Sequence, residues 1–144
     1  MTQKNPLHCF IDVETTGLSK SVAVIHQIAA IIVDDNGGEN EFSISFCPDE
    51  KALAYAEAGA LEKCNITIDD LRNRKVDEEE AWDKFVAFLQ VHVNKYDKTD
   101  KLLFTAYNAP FDTDFVRAWF ERMGGEYFGS YFWNPSLCVM QRAA

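Results

Sequence analysis

The sequence predicts one α/β domain built on a mixed sheet. Three observations point there: strand-like runs open the chain, helical periodicity follows, and a strand then leads directly into a helix. The length of 144 residues fits a single domain. Leu7 to Val13 reads as a strand, continuous enough in apolar residues to lie buried at the centre of a sheet. Thr15 to Lys20 reads as a turn. A second strand is expected over Val22–Val33, ending at Asp34-Asp-Asn-Gly-Gly38, a hairpin signal. Glu41 to Phe46 alternates polar and apolar residues, as an exposed third strand does. These three strands form an antiparallel meander.

The chain then turns helical. Ala52–Ala60 is rich in alanine and glutamate, and Thr67 with Asp70 forms a capping-box pattern that opens a short helix. From Asp77 to Val93, the residues Trp82, Phe85, Val86, Leu89 and Val93 share one helical face. The run Asp77 to Glu80 reads as the solvated N-terminus of that helix. Leu102–Tyr107 is a fourth strand. Asn108 and Pro110 suit the start of a helix that runs to Met123 and stops at Gly124-Gly125. Glu126–Trp133 is an aromatic loop expected to serve mainly as core and edge packing, and Leu137–Arg142 begins another strand or helix.

Hydrophobic residues make up 47% of the chain and charged residues 26%, as in soluble globular proteins. The longest mostly apolar stretch, Val22–Val33, is broken by His26 and Gln27 and is too short to span a bilayer. Met1 to Pro6 leads straight into a strand-like run without a secretory signal, so a cytoplasmic protein with no membrane association is expected. The net charge of −9, from 14 Lys+Arg and 23 Asp+Glu, argues against gripping long duplex DNA by its phosphates. A small nucleic-acid site remains open where divalent cations supply the positive charge. Cys9, Cys47, Cys64 and Cys138 lie far apart without a C-x-x-C pair, which makes them buried free thiols rather than zinc ligands or disulfides.

Asp12 and Glu14 stand two apart on the first strand, so their carboxylates share one face while Val13 points to the other. Paired acids at the end of a buried strand repel unless a cation joins them, and Mg²⁺ or Mn²⁺ suits carboxylate and water ligation. Asp114, two residues after Asp112, faces elsewhere on its helix and reads as a solvated first-turn acid. His8, His26 and His92 read as ordinary structural or surface histidines.

The segment Asp12-Val-Glu-Thr-Thr-Gly-Leu18, followed by Ala106-Tyr-Asn-Ala-Pro-Phe-Asp-Thr-Asp-Phe-Val116, resembles the DEDD superfamily of 3′–5′ exonucleases. The superfamily includes proofreading subunits of DNA polymerases, ribonuclease T and oligoribonuclease. The resemblance covers Leu7 to Val116, and loosely the tail from Trp133 to Arg142. It implies a ribonuclease H-like mixed sheet of order 3-2-1-4-5, its first three strands antiparallel, with helices on both faces. It also implies two Mg²⁺ or Mn²⁺ ions that drive phosphodiester hydrolysis at the 3′ end of single-stranded DNA or RNA. In this pattern Asp12 bridges both ions, Glu14 binds the nucleophile-side ion and Asp112 supports the other. Thr15 and Thr16 present backbone N–H or hydroxyl groups to the terminal nucleotide, and Leu18 wedges against its base. Asn108 and Phe111 shape the nucleotide pocket, alongside their alternative readings as helix N-cap and core residue. Implied partners are 3′ ends or short oligonucleotides; a homodimer or a polymerase partner is compatible with the resemblance.

The sequence departs from the pattern in two respects. The superfamily carries a fourth acid with a His or Tyr general base four or five residues before it, and nothing of that kind follows Trp133. Tyr107 also takes a place that is often His. Two readings stay open: a domain truncated at its C-terminal end, or an impaired one. The rival functional class is a non-catalytic module of the same fold that binds a nucleotide, a 3′ end or a protein partner.

Overall fold

The computed structural model describes residues 5–140. Strands β1 (His8–Thr15), β2 (Ile25–Val33) and β3 (Glu39–Ser45) form the antiparallel meander. Strand β4 (Leu103–Ala106) pairs parallel with β1, and the short β5 (Leu137–Cys138) pairs parallel with β4. The sheet order is β3-β2-β1-β4-β5, with β1 at the centre as its apolar run predicts. The β2–β3 hairpin closes where expected: Asp34 Oδ1 accepts from the N–H groups of Asn36 and Gly38, and Gly37 takes φ 81°, the left-handed region glycine reaches freely.

Cys9, Ile11 and Val13 on β1 sit opposite Ile32, Ala30 and Ile28 on β2, and all six are buried on one face. Two long helices supply side chains to that core: α4 (Glu78–His92) gives Trp82, Phe85 and Leu89, and α5 (Ala109–Met123) gives Phe115, Val116, Trp119 and Phe120. Trp119 stacks on Phe46 at 5.4 Å and meets Trp82 edge-on at 5.0 Å. The aromatic loop packs as expected, with Phe128, Tyr131 and Phe132 buried, although Tyr127 is exposed.

Two boundaries and one solvent exposure differ from the sequence reading. The helix expected over Ala52–Ala60 is two short ones, α1 (Glu50–Leu53) and α2 (Ala58–Lys63), with Glu57 extended between them. Their Leu53 and Leu61 join Leu71 in a separate small core, so the break lets both leucines turn inward. Strand β2 begins at Ile25 rather than Val22, because Ser19–Ala23 closes a turn of its own through Ala23 N–H to Ser19 O at 2.7 Å. The acidic run Asp77–Glu80 is not all solvated: Glu78 is buried and accepts from Trp119 Nε1 at 3.1 Å and from Arg122. Solvation of the run fails there because Glu78 is the acceptor for an indole N–H deep in the core. The expected last element begins as β5, and its remainder at 141–142 lies outside the described residues.

The capping box opening α3 (Ile68–Arg72) forms in full, with Thr67 Oγ1 accepting from Asp70 N–H and Asp70 accepting from Thr67 N–H. Thr67→Ala is expected to cost about 1 kcal/mol, read as a lowered midpoint in denaturant unfolding with an unchanged slope.

Candidate active site

In a sheet of this order, the crevice outside the carboxyl ends of the strands opens where neighbouring connections run in opposite directions. Here β1 and β4 pair only from His8–Leu103 to Phe10–Thr105; beyond that, β1 continues alone on this side to Thr15. The start of α5 fills the gap. Asp112, 6% exposed, accepts at Oδ1 from the Val13 N–H at 3.3 Å, a donor that β4 leaves unpaired. The first-turn carboxylate is thereby carried to the stretch of β1 that bears Asp12 and Glu14.

Asp12 and Glu14 emerge on the sheet face opposite the main core, as their spacing predicts: Asp12 is exposed and Glu14 half-buried, while Val13 between them is buried. Burial raises the Asp12 pKa and the charge of Glu14 adds to it. Burial also pushes Asp112 up to about 6, opposed by the Val13 N–H and reinforced by the charges of Asp12 and Glu14. The three carboxylates therefore feel one another, and a divalent cation bound among them would relieve that repulsion. As hard oxygen donors they suit Mg²⁺ or Mn²⁺. Among the described residues, no three of His, Cys, Asp and Glu stand close enough to hold one ion.

Beside the carboxylates lies a cleft of about 360 Å³, lined among others by Glu14, Thr15, Leu18, Glu57, Lys63 and Phe111. Leu18, 72% exposed, projects from the turn after β1. Phe111 is half-buried and meets Phe115 at 4.9 Å, so core packing and cleft lining coexist in it. Thr15 lines the cleft, but its hydroxyl donates to Gly17 O at 2.6 Å. Thr16 is fully buried: its N–H donates to Val24 O, and its hydroxyl accepts from Val24 N–H. It braces the turn from inside. Asn108 is exposed at the N-cap of α5 without a side-chain cap bond; its carbonyl accepts from Phe111 and Asp112 N–H. Asp114 faces away, as expected, and pairs with Lys20 at 3.4 Å.

Several cleft residues escaped the sequence reading. Glu57 and Lys63 belong to the stretch read as ordinary helix and its continuation, and no local signal marks them. Cys64 is half-buried rather than buried, and its thiol donates to Glu14 Oε2 at 3.1 Å. Cys47 is likewise half-buried, whereas Cys9 and Cys138 are buried; all four are free thiols. The histidines are structural, with His8 bonded to Thr105, His26 to Arg74 and His92 packed on Phe88.

The family model described as exonuclease, of the ribonuclease T type, matches residues 9–141. No curated protein sequence matches. Among solved structures, the metal-free exonuclease I–ssDNA complex of E. coli is 21% identical with a TM-score of 0.72, covering 96% of this chain and 30% of that one. Product-bound exonuclease I is 20% identical at a TM-score of 0.72, covering 97% and 32%. E. coli exonuclease I with a 5cy-dA13 oligonucleotide is 21% identical at 0.71, covering 96% and 30%. This chain thus spans about a third of the length of the exonuclease I chains it matches, and at these identities the likeness is one of fold. With the family model matching nearly the whole chain and a ribonuclease H-like sheet of the expected order, the protein belongs to the DEDD superfamily of 3′–5′ exonucleases.

Proposed function

We propose that this domain hydrolyses the terminal phosphodiester bond at the 3′ end of single-stranded DNA, releasing nucleoside 5′-monophosphates. The observation that carries the reading is the seating of Asp112 on the Val13 N–H, which brings an acid from α5 to the strand end bearing Asp12 and Glu14. Single-stranded DNA is favoured because the neighbours of this fold include exonuclease I complexes with ssDNA. One of those complexes is a zinc-bound form, which supports a metal-dependent site here.

Asp12, Glu14 and Asp112 are the residues that would hold divalent ions, Mg²⁺ or Mn²⁺. Two such ions, once bound, would supply a nucleophilic water at neutral pH and stabilise the leaving oxygen. The chain's own contribution is to place the substrate. Leu18 packs against the terminal base from the turn and Phe111 offers it a ring face from α5. Lys63, a cation lining the cleft, meets phosphate in a chain that is otherwise acidic. The expected result is Mn²⁺-dependent release of mononucleotides from 3′-labelled single-stranded DNA, with the label of a 5′-labelled strand retained until late. An RNA strand of the same sequence run alongside tests the DNA assignment. Release that begins at the 5′ end, or internal cutting, overturns the reading.

A second reading has its own support. With no three potential ligands close enough for one ion among the described residues, a non-catalytic module that binds a 3′ end keeps the same cleft. It predicts oligonucleotide binding without release of nucleotides.

A further inference from the structure

The break between α1 and α2 leaves Glu57 in an extended conformation, with φ −92° and ψ 125°, at the N-cap of α2. Its side chain makes no hydrogen bond to its own helix, so its carboxylate is free to act elsewhere. It acts on the turn that follows β1. The Glu57 N–H donates to Thr16 O at 2.7 Å, and Glu57 Oε2 accepts from the Leu18 N–H at 2.7 Å. Gly17, between those two residues, lies so close that a Cβ built on it falls 1.8 Å from Glu57 Oε2. One residue thus grips the turn on both sides of a glycine whose missing side chain makes room for it. A carboxylate accepting a backbone N–H forms one of the stronger hydrogen bonds available to a loop.

The turn needs such a grip. Leu18 is 72% exposed, has little packing of its own to fix it, and stands over the same cleft that Glu57 and Phe111 line. We propose that Glu57 is a positioning residue that clamps the Gly17–Leu18 turn and so sets Leu18 at the height where it packs against the terminal base of the substrate. This rests on the proposed function of the cleft. Glu57 itself touches the turn and not the reacting atoms. Misplacing a contact by about 1 Å can cost up to 100-fold, and supporting groups around functional sites typically contribute 10–100-fold.

The test combines two readouts. Amide hydrogen exchange at Leu18 reports the clamp without substrate or metal: Glu57→Ala is expected to speed it at least tenfold, while Glu57→Gln, whose amide oxygen still accepts, keeps it slow. Fluorescence anisotropy of a nuclease-resistant phosphorothioate oligodeoxythymidylate, with Mn²⁺, reports the consequence. Glu57→Ala is expected to weaken binding about tenfold, with Glu57→Gln within about twofold of the parent protein. Gly17→Ala adds a coupling test, since its Cβ collides with Glu57: it is expected to weaken binding in the parent protein and to cost little more in the Glu57→Ala background. Equal binding by the parent and Glu57→Ala proteins overturns the inference, as does unaltered Leu18 exchange. If the parent protein fails to bind the oligonucleotide while Leu18 exchange still depends on Glu57, the proposed function falls and with it the positioning role; the clamp then serves the fold alone.

Discussion

Asp12→Ala is expected to abolish Mn²⁺-dependent nucleotide release, by about 10³-fold or more, while leaving the melting temperature unchanged or slightly higher. The loss follows from removing a proposed ligand, where bound ions would supply several kcal/mol of transition-state stabilisation, each 1.36 kcal/mol being tenfold in rate. The unchanged stability follows from where Asp12 sits. Partial desolvation of its carboxylate, together with the charge of Glu14, already raises its pKa, so its charge is a burden on the fold. Asp112 is the contrast. Its carboxylate satisfies the Val13 N–H, so Asp112→Ala strands a backbone donor and is expected to lower stability as well as activity. Asp112→Asn keeps an acceptor for that N–H and separates the two effects. A paired comparison of thermal melts and 3′-label release on the three variants checks this; activity that survives Asp12→Ala removes the site assignment.

The His26 contribution to stability is expected to fall by about 3 kcal/mol between pH 6.5 and 4, a loss that shows once the opposing contribution of Asp112 is removed. Strand β2 carries one extra residue opposite the Glu14–Thr15 step of β1, and this bulge lets both Ile25 and His26 point inward. His26 is fully buried, and its Nδ1 lies 3.1 Å from Arg74 Nη1. Arginine can only donate, so Nδ1 accepts and the ring proton sits on Nε2, which faces the Cys64 sulfur at 3.9 Å. Burial, then the Arg74 charge, lower the His26 pKa to about 4 from an ordinary 6.5. The unfolded chain binds the proton first, so the stabilisation is complete above pH 6.5, declines as pH falls towards 4 and is fully lost below. Asp112 acts in the opposite sense. With its folded pKa at about 6, above the ordinary carboxylate value of 3.8, it adds stability at low pH that fades as pH rises through that interval. The parent protein's stability is therefore expected to change little between pH 4 and 6 in metal-free buffer. The His26 slope emerges in Asp112→Asn, and His26→Gln shows the reverse slope alone. Parallel curves for parent and His26→Gln proteins would remove His26 from this account.

The strands and long helices were legible because their information is local. Alternation along β1 puts Cys9, Ile11 and Val13 on one face and Asp12 and Glu14 on the other, and the structure keeps that division. Pro110 and the Gly124-Gly125 pair bound α5 to within a residue. The Thr67–Asp70 capping box needed only its own four residues. Two of the failures depended on distant partners. Glu78 reads as one acid in a run of solvated ones until Trp119, 41 residues on, brings its indole N–H to it. Glu57 reads as helical until the separate Leu53–Leu61–Leu71 cluster breaks that helix and turns it towards Gly17.

By itself the sequence determined the antiparallel meander, the face of β1 that enters the core and the paired carboxylates at the end of that strand, through period, turn chemistry and spacing, which act over a few residues. The full strand order came with the family resemblance, because the parallel pairing of β4 with β1 joins segments distant in sequence. Only the tertiary structure decided how the site is assembled: that Asp112 reaches β1 through the Val13 N–H, that Thr16 supports the turn from within, and that Glu57, Lys63 and Cys64 come to the cleft. A hydrogen bond between residues 39, 50 or 99 positions apart leaves no trace in local pattern, because its geometry exists only once the sheet and its helices have packed.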